Sequence, residues 1–120
     1  MSGPSLPGLR NLDEDRVVAA RVRICERLPD RLRGLIGTLR LGDDEAVWIR
    51  PCNSIHTFFM VMTIDVAFLD IDLRVVKVIP RMTAWRVCLP VAGADSVLEG
   101  PVGMIERANL RRGTRLAFTD

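Results

Sequence analysis

The chain's one histidine, His56, lies four residues after Cys52 and nine before Asp65, inside a run, 51–72, that also holds three of the four phenylalanines. Asp65 is the sole charged residue between Arg50 and Asp70. Polar groups set in apolar sequence are costly to bury, so each needs a partner or a task. The spacing of Cys52 and His56 suits a zinc site or a thiolate–imidazole nucleophile pair, provided the chain turns at Asn53 and Ser54. In an extended strand the two would stand about 13 Å apart, too far to share a metal. Cys88 could add a third ligand, but no fourth is evident. No metal and no cofactor is therefore assigned, with Cys52, His56 and Cys88 as weak candidates only.

A pocket is the stronger reading. His56, Asn53 and Thr57 could line a small polar cavity rimmed by Phe58, Phe59 and Met60, because ligand sites combine apolar walls with a few convergent polar groups. The competing reading is a core histidine with both ring nitrogens satisfied. Asp65, if it faces inward, needs a cation or several hydrogen-bond donors, and Arg33 is the expected partner. Its structural role would be an anchor between helix and sheet. Its functional role would be a ligand-site carboxylate acting as a general base. Glu99 carries the same ambiguity, and convergence of Asp65 with Glu99 would create a paired-carboxylate site. The candidate pocket therefore comprises Arg33, Asn53, His56, Thr57, Phe58, Met60, Asp65 and Glu99. Trp48 and Trp85 could stack a sugar or base, although a lone tryptophan more often packs.

The elements that must position these residues are mostly short strands. Residues 9–12 read as the start of an edge strand. Residues 17–25 alternate, with Val18, Ala20, Val22 and Ile24 on one side and Arg21 and Arg23 on the other, which predicts one half-buried strand. Residues 31–41 carry leucines at helical spacing after Asp30, a capping residue. Further strands are expected at 46–49, 64–69, 75–79, 85–89, 96–99 and 115–118. Gly100-Pro101 should break the strand before it, and residues 102–108 could form one or two helical turns ending near Asn109. The fold class is mainly β (α+β). It is expected as a β-sandwich or partly closed barrel of six to eight short strands, with one packed helix near residues 30–40 and a shorter one near 102–108.

At 120 residues the chain is the size of one domain. Residues 1–8 read as a disordered tail and 9–119 as a single β-rich unit. Sixteen of the 17 basic residues are arginine, yet the net charge is only +2 and the arginines are scattered, so no nucleic-acid partner is predicted. Three cysteines without CxxC spacing argue against a disulfide framework. No apolar run of roughly 18 residues appears, and the first ten residues lack the apolar centre of a secretory signal. The expected location is cytoplasmic, without a membrane span.

Four stretches carry a family resemblance. They are Arg33-Gly34-Leu35, then Ile55-His56-Thr57-Phe58-Phe59-Met60, then Ile64-Asp65-Val66-Ala67-Phe68-Leu69-Asp70, and Val97-Leu98-Glu99 followed by Gly103. Over about residues 10–118 the chain resembles domain-of-unknown-function family 192, an uncharacterised family of bacteria and archaea. The resemblance implies a β fold of sandwich or jelly-roll type with a packed helix, and it implies no activity. Three positions depart from the family's habit. Val61 stands where a basic residue is usual, Asp72-Leu73 stands for Asp-Gly, and Gly113-Thr114 stands for Gly-Asp. The first weakens an anion site built on that residue. The second argues against a tight two-residue primed turn, since leucine resists positive φ. The third removes a carboxylate.

Three functions fit this reading. The favoured one is a small binding or accessory domain, with its pocket around His56 and Asp65, that takes a small polar ligand or a protein segment. The second is a hydrolase-like enzyme using His56 with Asp65 or Glu99, which no established catalytic motif supports. The third is a structural or interaction scaffold. The oligomeric state is left open.

Overall fold

Short apolar runs bounded by Gly, Pro and Asp are too brief for stable helices and pair instead as strands. The computed structural model describes residues 6–26, 41–52, 54–56, 63–83 and 86–119. In chain order the elements are β1 (Gly8–Asn11), β2 (Arg16–Ala19), β3 (Arg21–Cys25), β4 (Glu45–Ile49), β5 (Ile55–His56), β6 (Ile64–Leu69), β7 (Val75–Met82), β8 (Val87–Cys88), β9 (Ser96–Pro101), helix α1 (Met104–Ala108) and β10 (Leu116–Thr119). The helix expected near residues 30–40 lies outside the described residues.

Eight of these strands make two main sheets, one in the order β10-β1-β2 and one in the order β3-β4-β9-β6-β7. A two-stranded ribbon, β5-β8, makes a third layer. The architecture is mainly β and sandwich-like, and the strands do not close into a barrel. Two seams stitch the main sheets together. At one, Val22 donates its amide to the Pro7 carbonyl at 2.8 Å. At the other, Arg74 bridges to Arg115, and Leu116 donates to the Leu73 carbonyl at 3.0 Å. The inner core between the sheets includes Leu9, Val18, Trp48, Leu69, Leu98, Met104 and Leu116. Trp48 meets Phe118 edge to face, 5.0 Å between ring centroids, so this tryptophan is part of the packing.

The five-stranded sheet has a second apolar face. Ile64, Val66, Phe68 and Val97 pack there with Met82 and Cys88. Every residue of β6 and β9 is buried as a result. Strands covered on both faces read as continuous apolar runs, as β6 does.

Several expectations are corrected. β1 is the central strand of its sheet, with β2 on one side and β10 on the other, and is no edge. The stretch 17–25 is two strands in two sheets, split by a bend at Ala20, whose amide and that of Arg21 both donate to the Asp44 carbonyl. Ala20 and Ile24 are exposed, although simple alternation would bury both. The tail is engaged earlier than expected, since β1 starts at Gly8. β9 continues through Gly100 and Pro101 because β6 pairs with them, Gly100 facing Asp65 and Pro101 facing Ile64. Leu73 adopts φ 63, the left-handed value thought unfavourable for it, and its side chain packs on the inner core. As expected, the β6–β7 turn is no two-residue turn: Leu69 pairs with Val75, and Asp70 Oδ1 accepts the amides of Asp72 and Arg74.

Candidate functional site

The register of β6 decides what its polar residue can do. Val66 pairs with Glu99 across the β6–β9 ladder, and partners in an antiparallel pair share a face. Val66 belongs to the outer cluster, so Glu99 points to the outer face. Asp65, one residue away, points to the inner face beside Ala67 and Leu69. Asp65 and Glu99 therefore do not converge, and no paired-carboxylate site forms.

Asp65 is only 1% exposed and is saturated with backbone donors. Its Oδ2 accepts the amides of Gly103 at 3.1 Å and Ile105 at 2.9 Å, while Oδ1 accepts that of Arg81 at 3.0 Å. It thus caps α1 from across the sheet, where the helix's own N-cap residue, Gly103, has no side chain to do so. The anchor from helix to sheet expected of Asp65 exists, but to α1 and through backbone amides. Arg33, its expected partner, lies outside the described residues. The other end of α1 is held by Asn11, a fully buried residue the sequence did not single out. Its Nδ2 donates to the Ala108 carbonyl at 2.9 Å, and its Oδ1 accepts the amides of Asp13 and Glu14. A five-residue helix cannot sustain itself in water, so these two buried side chains are what fix it. An Asn just before a turn was the available signal.

Glu99 is the opposite case. It is buried and, among the described residues, neither carboxylate oxygen has a hydrogen-bond partner. Burial alone pushes its pKa up to about 8, so it is mostly protonated at neutral pH. The ribbon that carries His56 covers this same face. Ile55 pairs with Cys88 and His56 with Val87, and Cys88 packs on Val66 and Phe68. The strand bearing His56 and the carboxylate of Asp65 therefore lie on opposite faces of the sheet. Asn53, Thr57, Phe58 and Met60 lie outside the described residues, as does Trp85. Cys52 donates its thiol to the Ser54 carbonyl at 2.9 Å, and Cys88 to that of Leu89 at 3.5 Å. Among the described residues, no three His, Cys, Asp or Glu side chains gather as metal ligands would.

A concavity of about 810 Å³ runs along β7 toward β8 and the segment after it. Its floor is the rim of the outer cluster, with Ile79, Met82 and Val91, and Lys77, Arg81 and Arg86 also line it. Arg81 has φ 53, uncommon outside glycine, and its amide is the one that Asp65 holds. A second hollow of about 270 Å³ shares Pro80 and Arg81 with the first and reaches Asp65 and Glu106. The main cleft went unforeseen because its residues come from two strands and a loop that no local pattern joins. Among the described residues, no helix is long and apolar enough to cross a membrane.

The fold matches a solved protein of unknown function from Novosphingobium aromaticivorans, with a TM-score of 0.80, 21% identity and coverage of 97% of this chain and 93% of that one. In sequence the chain is 36% identical to a UPF0127 protein of Thermococcus sibiricus over 90% of its own length and 72% of the relative's. It is 47% identical to a UPF0127 protein of Pyrococcus abyssi over 82% of its own length and 86% of the relative's. A family model, described as uncharacterized ACR, matches residues 10–118. With nearly its whole length inside that match, the chain belongs to domain-of-unknown-function family 192.

Proposed function

We propose that this chain is a binding module for a small molecule and that the cleft beside β7 is its site. The cleft itself carries the reading: about 810 Å³, in the size range of ligand pockets, with an apolar floor and a few polar groups at its rim. Hydrolysis fits the geometry less well. Asp65 is occupied by three amides and Glu99 is sealed from solvent, so neither carboxylate stands ready to meet a substrate. A protein segment pairing along β7 is also disfavoured, because Pro80 and Lys77 are residues that guard sheet edges against added strands.

The test is an amide chemical-shift titration of the full chain against a fragment library that includes anions, nucleotides, sugars and divalent metals. Fragments that bind should shift amides between Lys77 and Val91 and leave those of β1 and β2 unmoved. A library whose hits all map elsewhere, or that yields none, rejects the cleft.

A further inference from the structure

The cleft has a charge preference that follows from the cations gathered along its rim. Among the described residues, Arg10, Arg21, Arg50, Arg111 and Arg115 each hold a carboxylate within ion-pair distance. Near the C-terminus, Arg111 meets Glu14 and Arg115 meets Asp13. Lys77 and Arg81 make no such pair among the described residues, and no carboxylate stands among the described lining of the cleft. Arg86 adds a third cation to that lining. Arg81 is also the best-placed of them. Its backbone sits in the left-handed region and is fixed there by a buried carboxylate, a costly conformation of the kind that collects at binding sites. Below the cations lies the apolar floor of Ile79, Met82 and Val91.

Resting on the binding reading above, we infer that the cleft takes an amphipathic anion, a carboxylate or phosphate head carried on an apolar body. The head is met by Lys77 and Arg81 at the rim, where hydrogen bonds between ions are stronger than neutral ones. The body covers the exposed edge of the outer cluster and removes that surface from water. A bare anion gains only the first of these contributions, and a neutral apolar molecule only the second.

Four probes of graded chemistry test this on the full chain: octanoate, octanamide, octylamine and acetate, each followed through the amides between Lys77 and Val91. Octanoate should bind at least tenfold more tightly than octanamide at low salt, the gap should narrow at high salt, and octylamine and acetate should bind weakest. A Lys77→Gln/Arg81→Gln double variant, with its remaining amide spectrum unchanged, should bring octanoate down to the octanamide level. If octanamide matches octanoate while shifting the same amides, or the double variant keeps the preference, the anion inference is overturned and the binding reading stands. If no probe shifts those amides, the anion inference is overturned, and the fragment library decides the binding reading.

Discussion

Asp65 and Glu99 stand on adjacent strands, one register step apart, and meet opposite fates. On the inner face, Asp65 collects three amide donors from β7 and the start of α1. On the outer face, Glu99 is buried against Val66 and Val97, with no hydrogen-bond partner among the described residues. The difference is one of supply. Helix N-termini and strand irregularities leave amides unsatisfied, and α1 and the β7 bulge bring three of them to one point. Among the described residues, the outer face offers Glu99 apolar side chains and no donor. A carboxylate surrounded by donors is an anchor. One surrounded by methyl groups is driven toward its protonated form by burial.

The sharpest break of this contrast is Asp65→Ala. It strands three buried amides and should cost about 3–5 kcal/mol, read by urea unfolding at pH 7. A cost below about 1 kcal/mol would mean the cap is incidental.

Glu99 should produce a pH-dependent effect. Its folded pKa, about 8, lies above the ordinary value of 4.5. Between those pH values the folded chain holds a proton that the unfolded chain has released, so stability is full below about pH 4.5 and is lost as pH rises through about 8. The loss amounts to a few kcal/mol, at about 1.4 kcal/mol per unit of separation. Melting temperatures recorded from pH 5 to pH 9 should fall, and Glu99→Gln should flatten the decline. An unchanged slope in that variant would assign the titration to another group.

The smallest effect concerns Gly100, the register partner of Asp65. A Cβ there would overlap the sulfur of Met104, so the glycine is what lets α1 lie down beside the cap. Gly100→Ala should cost about 1–3 kcal/mol by overpacking. Methionine is flexible and takes up part of the strain. Combining it with Met104→Ala should recover part of that cost in a double-mutant cycle, and strictly additive losses would show that the two do not touch.

Much of this was legible locally. Strands at β4, β6, β7 and β10, the turn after Asp70, the C-cap at Asn109 and the family itself all follow from short stretches of sequence. The bend at Ala20 was not legible, because it depends on a carbonyl at Asp44, distant in the chain. Nor was the capping by Asp65, whose donors lie sixteen to forty residues away. The cleft escaped for the same reason. Its cations look like scattered surface arginines until β7 and the β8 segment face each other.

By itself the sequence determined that this chain builds β-structure, that Asp65 and Glu99 stand in apolar stretches of sequence, and to which family the chain belongs. Alternation and burial propensity are properties of neighbouring residues and need no knowledge of the rest. The tertiary structure alone decided which face each carboxylate takes, which amides reach it and which cations line one cleft. Those depend on strand register and layer order, and a shift of one residue in register exchanges the two faces of a strand.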